Sequence, residues 1–135
     1  MNIKLAVCTL VSPALAVAST QANLEYDNYS ENLNELIKSA NGDAVKELKI
    51  FESVEVDAQG GDIAASGVLC IVDAEDYSEY CLKAAREGVA DAQYAIGLMH
   101  YHGRGFKADE EVGLEWVRKA ANQGHGAASV FLLAD

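Results

Sequence analysis

Residues 92–128 decide the fold of this chain and read AQYAIGLMHYHGRGFKADEEVGLEWVRKAANQGHGAA. The stretch opens with small and apolar side chains at i, i+3, i+4 and i+7, which is the spacing of one face of a helix. These side chains are Ala92, Ala95, Ile96 and Met99. Gly103 and Gly105 then interrupt the pattern, and glycine accepts the positive φ that a tight turn requires. The first part of the stretch therefore predicts a helix that ends in a turn.

The second part of the stretch predicts another helix. Asp109 is placed to cap it, because its carboxylate can accept hydrogen bonds from the backbone N–H groups of the first turn. The apolar face of this helix comprises Val112, Trp116, Val117, Ala120 and Ala121. Gly124 is the residue expected to end it. The small alanines of both helices, Ala92 among them, are expected to allow a close approach, with Trp116 filling the remaining space.

The same pattern recurs along the chain. KAAREGVADAQYAIG, residues 83–97, and KAANQGHGAASVFLL, residues 119–133, share a Lys-Ala-Ala triplet at an offset of 36 residues. Gly88 matches Gly124 at the same offset. A period of this length is typical of a solenoid, in which short helical units stack on one another.

Residues 92–128 resemble one complete Sel1-like repeat, a helix-turn-helix unit of the TPR-like type. The resemblance rests on residues at fixed spacing, namely Ala92, Ile96, Gly97, Met99, Gly103, Gly105, Asp109, Trp116, Lys119, Ala120, Ala121, Gly124 and Ala128. Two positions depart from the family pattern: Gly113 stands where alanine is usual, and His100 where tyrosine is usual. The resemblance implies an all-α fold, an α/α solenoid of helix-turn-helix repeats, and an adaptor that holds another protein or peptide.

The remainder of the chain is interpreted around this complete repeat, which is assigned to residues 92–127. Residues 62–91 are expected to form a shortened, degenerate repeat with a shorter connecting loop, because their second half resembles residues 116–124. Residues 23–61 predict further helices, either a cap or more strongly degraded repeats. Residues 128–135 predict a C-terminal capping helix, since a repeat array needs a helix that covers its last face.

The first 18 residues have the pattern of a secretory signal peptide. Lys4 supplies the positive charge, Leu5 to Val17 the apolar region, and Ala16-Val17-Ala18 the small-x-small cleavage site, with a second cleavage position after residue 22. The apolar run is too short for a full membrane span. The alternative is an uncleaved helix at the membrane surface. The signal pattern predicts a periplasmic or secreted protein with no membrane insertion after cleavage.

The formal net charge of −11 limits the classes of partner. An acidic chain repels phosphate backbones and anionic lipid head groups, which argues against nucleic acid and membrane surfaces. A basic protein partner is compatible with this charge. The alternative is that the acidic residues only form solvated helix faces.

Cys70 and Cys81 are the two cysteines that follow the predicted signal segment. An even number of cysteines in an exported protein favours a disulfide. They fall on the two predicted helices of the shortened repeat, which should pack against each other. The alternative is a pair of buried thiols, because a free cysteine packs as a small hydrophobic residue.

Catalytic and metal chemistry find little support in the sequence. His100 and His102 are two residues apart and would point to different faces of a helix, and with His125 they lack the further ligands that zinc requires. They are interpreted as solvent-facing or turn-capping residues. No Gly-x-Ser-x-Gly motif and no serine followed three residues later by lysine is present. We therefore expect no enzyme activity, no cofactor and no metal.

The leading functional hypothesis is an exported scaffold or regulatory binding protein. Four residues off the packing stripe of the first helix are expected to line its protein-binding surface: Tyr94, Leu98, Tyr101 and His102. One alternative is a periplasmic immunity protein that neutralises a secreted bacterial toxin. Another is a β-lactam-binding or β-lactam-hydrolysing protein, as suggested by similarity to cysteine-rich members of the family. A third is a structural fragment without a partner.

Overall fold

The computed structural model describes the backbone of residues 13–134 and the side chains of residues 21–134. This part of the chain is all-α, and its helices are α1 (Pro13–Ala40), α2 (Ala44–Gln59), α3 (Ile63–Val72), α4 (Ser78–Glu87), α5 (Ala90–His102), α6 (Glu110–Asn122) and α7 (Gly126–Ala134). The expected all-α solenoid is confirmed. Most of the predicted signal segment, residues 1–12, lies outside the described residues. The backbone of α1 continues through both predicted cleavage positions.

Aspartate side chains start three of the helices. Asp43, Asp62 and Asp109 each precede a helix in an extended conformation, and their carboxylates accept hydrogen bonds from backbone N–H groups of the first turn. For Asp109 the donor is the Val112 N–H at 3.0 Å, so the predicted cap is confirmed.

The start of α5 is capped from another helix. Val89 precedes α5 without a side-chain cap. The missing acceptor comes from Asn23 on α1, whose Oδ1 accepts a hydrogen bond from the Ala90 N–H at 3.0 Å. The amide nitrogen of Asn23 donates to the Gly88 carbonyl oxygen, also at 3.0 Å. Asn23 therefore ties α1 to the junction between α4 and α5.

Consecutive helices form antiparallel pairs through small and aliphatic side chains. The pair α5 and α6 buries the predicted stripe around Ala92, Ile96 and Met99 against the neighbouring helices, with Val117 and Ala120 buried from α6. Trp116 is half-buried rather than central, and the Lys119 ammonium lies 4.1 Å from the centre of its ring. Glycines with positive φ follow the helix ends at Gly103, Gly105 and Gly124.

The helix pair α3 and α4, which the sequence predicts to be a shortened repeat, differs from the expectation that the loop alone is shorter. The connection between its helices runs from residue 73 to residue 77, against 103 to 109 in the complete repeat. Helices α3 and α4 are also 10 residues long, whereas α5 and α6 have 13. The shortening is therefore shared between loop and helices, because each helix lacks most of one turn.

A disulfide joins α3 and α4, the helices of the predicted shortened repeat. Cys70 on α3 and Cys81 on α4 are bonded, with their Cα atoms 4.7 Å apart. Both residues are buried within the cluster that also contains Ile96 and Met99. The disulfide alternative of the sequence analysis is thus the one that the structure supports.

Between residues 13 and 134, no helix combines the length and the apolar character that crossing a bilayer requires.

Candidate binding groove

An open groove of about 780 Å³ lies between α5 and the end of α3, and we call it the α5 groove. Its floor is one face of α5. Its walls are the last residues of α3 with the loop that follows, the start of the connection after α5, and the turn before α7. The lining residues are Cys70–Asp76, Asp91, Tyr94, Ala95, Leu98, Met99, His102, Arg104 and His125.

The floor of the α5 groove is a second face of α5, beside the face that packs into the core. Five of its side chains recur at helical spacing, namely Asp91, Tyr94, Ala95, Leu98 and His102. From the first to the last of these residues the helix rises about 16 Å, at 1.5 Å per residue. The α5 groove is therefore long enough for an extended chain segment rather than only a small group.

The wall formed by α3 is apolar and open to solvent. Ile71 and Val72, the last two residues of α3, are 54% and 57% exposed. Leu98 on α5 is half-buried and lines the same groove. Exposed aliphatic side chains that share a concave surface are typical of binding sites, because a ligand removes them from water.

The loop after α3 brings carboxylates to the α5 groove. Asp73 Oδ1 accepts hydrogen bonds from the backbone N–H groups of Glu75, at 3.0 Å, and Asp76, at 3.1 Å. This Asx-type turn defines the course of the loop. The disulfide between Cys70 and Cys81 encloses the loop, so both of its ends are held.

Asp91 is held in place by His125, which lies in the turn before α7. The His125 Nε2 atom lies 3.0 Å from Asp91 Oδ1. The His125 Nδ1 atom accepts a hydrogen bond from the Ala128 N–H at 3.1 Å, so the ring hydrogen lies on Nε2 and is donated to Asp91. From α1, the Tyr26 side chain lies beside Asp91. Burial and the nearby charge of Asp91 raise the pKa of Tyr26 above its usual range.

The charge in the α5 groove is predominantly negative. Four carboxylates line it, those of Asp73, Glu75, Asp76 and Asp91, against the single guanidinium of Arg104. A concave surface lined by one sign of charge concentrates ligands of the opposite sign. The α5 groove therefore favours a cationic ligand that also carries apolar side chains.

The structure brings together three of the four residues that the sequence placed on the binding surface. Tyr94, Leu98 and His102 line the α5 groove. Tyr101 is not among the lining residues. Its half-buried ring lies edge-on to Phe131 of α7, with the ring centres 5.2 Å apart.

His102 and His125 both line the α5 groove, whereas His100 does not. His100 stacks on Phe106, with the ring centres 4.5 Å apart. His102 is exposed and lines the α5 groove, whereas His125 caps α7. Within residues 13–134 no group of three or more His, Cys, Asp or Glu side chains is arranged to hold a metal ion.

Several residues that line the α5 groove were not predicted from the sequence. Asp91 could have been found, because it continues the helical spacing of Tyr94 and Leu98 by one turn towards the start of α5. The exposed pair Ile71 and Val72, and the loop after them, carry no comparable signal. Their position depends on how α3 packs beside α5.

The family profile described as the Sel1 repeat matches residues 90–125, which span α5, α6 and the connection between them. No solved structure matches this chain.

Proposed function

We propose that this chain, a Sel1-like repeat protein by the match at residues 90–125, is an exported scaffold that holds a short basic segment of another protein in the α5 groove. Sel1 repeats generally mediate protein–protein interactions. The observation that carries the proposal is the groove itself, with aliphatic walls, a floor of one helix face and an acidic lining.

The dimensions of the α5 groove suit an extended peptide. Its floor of about 16 Å corresponds to about five residues of extended chain at 3.3 Å per residue. Apolar side chains of such a segment would contact Ile71, Val72 and Leu98. Basic side chains would face the acidic loop and Asp91, where opposite charge contributes to specificity and to the rate of association.

Two observations support export. The first 18 residues have the features of a signal peptide. The bond between Cys70 and Cys81 is typical of proteins that leave the reducing cytosol.

The proposal is tested by photo-cross-linking in the native compartment. A photo-reactive phenylalanine analogue replaces Leu98 in the α5 groove. In a matched control it replaces Leu133, which lies on α7 and is 87% exposed. We expect position 98 to cross-link one protein through a peptide rich in lysine or arginine, and position 133 not to capture it. Capture from position 133 alone, or from neither position, contradicts the proposal.

The captured protein also separates the roles that the sequence left open. A secreted toxin as the cross-linked protein identifies an immunity role, and a resident protein of the same compartment identifies an adaptor. We propose no catalytic step. Hydrolysis of the β-lactam nitrocefin by the purified chain would contradict this part of the proposal.

A further inference from the structure

We propose that the α5 groove selects an arginine side chain at the end formed by Asp91, Tyr94 and His125. This inference rests on the proposed function and makes its ligand more specific. It concerns which cationic side chain is bound, because the negative charge of the groove alone would attract arginine and lysine equally.

Asp91 combines a fixed position with an accessible carboxylate. Its Oδ1 atom receives the hydrogen bond from His125, and Tyr26 of α1 lies beside it. Even so, the side chain of Asp91 is 41% exposed. A carboxylate that is already oriented loses little conformational freedom when it binds a cation, which favours binding.

An aromatic surface lies one helical turn from Asp91. Tyr94 follows Asp91 by three residues on the same face of α5, and both line the groove. The Tyr94 ring is supported by the His125 ring, with the centres 4.8 Å apart. The edge-on contact with Phe131, at 6.5 Å, supports it further. A carboxylate and a braced aromatic ring are thus adjacent at one end of the groove.

This combination matches a guanidinium better than an ammonium. A guanidinium is planar, donates two parallel hydrogen bonds to a carboxylate and stacks on an aromatic ring. It is also less strongly hydrated than the compact ammonium of lysine, so its partial burial is less costly. Asp91 supplies the carboxylate and Tyr94 supplies the ring. An arginine side chain can therefore contact both, whereas a lysine side chain interacts chiefly through the attraction of its charge to Asp91.

The test compares capped five-residue peptides by NMR titration of the isotope-labelled chain. The probe peptide, Ac-Leu-Ala-Arg-Ala-Leu-NH2, is compared with versions that carry lysine or citrulline at the centre. We expect the arginine peptide to shift the amide signals of Asp91, Tyr94 and Leu98. It should bind about two- to fivefold more tightly than the lysine peptide, as expected for a cation–π contact at a partly exposed site. The citrulline peptide, which keeps the planar group and lacks the charge, should bind most weakly.

Two variants assign the selectivity to its residues. Tyr94→Leu keeps apolar bulk and removes the ring, so it should abolish the preference for arginine over lysine. Asp91→Asn keeps the shape and removes the charge, so it should weaken both basic peptides. Glu79→Gln, on the exposed side of α4 outside the groove, is the control that leaves all three affinities unchanged. Circular dichroism verifies that each variant is folded.

The outcomes separate this inference from the proposed function. Equal affinity for the arginine and lysine peptides, with the groove signals shifted, overturns the selectivity and leaves the groove as a basic-segment site. Absence of groove shifts with the arginine peptide also overturns the inference. The proposed function is then judged separately by cross-linking from position 98.

Discussion

The backbones of Gly97 and Gly113 touch where α5 crosses α6. A Cβ atom on Gly97 would lie 2.9 Å from the Gly113 carbonyl oxygen, and a Cβ atom on Gly113 would lie 2.7 Å from the Gly97 carbonyl oxygen. Neither backbone can yield without separating the two helices. The glycine at position 113, which departs from the alanine usual in Sel1-like repeats, is therefore part of the packing of this pair.

The variant Gly113→Ala is expected to destabilise the protein although it restores the residue usual in the family. The added methyl group would also lie 2.7 Å from the Tyr101 nitrogen. Overpacking of this kind costs about 1–3 kcal/mol, which exceeds the gain of up to about 1 kcal/mol from better helix propensity. Urea unfolding measures the difference. Gly126→Ala is the matched control, because its methyl group would meet no atom within 4 Å. Equal stability of both variants would contradict the close approach.

Removal of the disulfide is expected to lower the free energy of unfolding by about 2–3 kcal/mol, because the bond restricts a short loop in the unfolded chain. The measurement compares urea unfolding of the wild-type chain with that of the double variant Cys70→Ala and Cys81→Ala. Prolonged reduction should move the wild-type curve towards the curve of the variant and leave the variant itself unchanged. An unfolding curve of the wild type that does not respond to reductant would rule out the bond.

Loss of the His125 imidazole is expected to loosen the start of α7. Its Nδ1 atom accepts from the Ala128 N–H, and loss of a helix cap costs about 1 kcal/mol. His125→Ala should therefore speed hydrogen exchange at the Ala128 amide. His125→Asn, which supplies another side-chain acceptor at the cap, should restore much of the protection. Similar exchange at Ala128 in the wild type and in His125→Ala would show that the cap contributes nothing.

Alkaline pH is expected to destabilise the fold through its tyrosines. The hydrogen bond to Glu55 raises the pKa of Tyr77 from 10.0 to about 12, and burial raises the pKa values of Tyr26 and Tyr29. Between pH 10 and about pH 12, the tyrosines of the unfolded chain lose protons that Tyr77 in the folded chain retains. Stability from this source is thus complete below pH 10 and is lost as the pH rises through about 12.

Tyrosinate absorbance measured against pH tests this assignment. In the folded chain, some tyrosines should ionise only well above pH 10, and the free energy of unfolding should fall over the same pH range. Tyr77→Phe should remove one late-ionising group. Ionisation of all six tyrosines near pH 10 while the chain stays folded would contradict these environments.

Export, if it occurs as proposed, is expected to use cleavage after Ala18 rather than after Ala22. Ala22 packs against the core cluster around Cys70 and Cys81. A cut after Ala22 would remove this contact and place a charged amine on Asn23, whose side chain bonds to the junction of α4 and α5. The intact mass of the exported protein decides between the two. A mass that corresponds to a chain whose first residue is Asn23 would refute the expectation.

Local sequence determined the helices, their ends and the pairing of α5 with α6. Asp109 caps the helix that follows it, Gly103 ends the helix before it, and the stripe around Ile96 is buried, because each of these relations involves residues within about two helical turns. The 36-residue offset indicated stacked units, because a repeat of that length is itself a pattern in the sequence. Tyr94 and Leu98 could be named as surface residues, since their helical phase separates them from the buried stripe.

Only the tertiary structure decided what surrounds those residues. Asp91 is oriented by His125 from the turn before α7 and lies beside Tyr26 of α1, and the acidic loop after α3 faces the same groove. Tyr101 lies against Phe131 instead of in the groove. These contacts join residues far apart in the chain, and they depend on the angles at which whole helices cross. A helical period specifies which face a residue occupies, but not which distant segment that face meets.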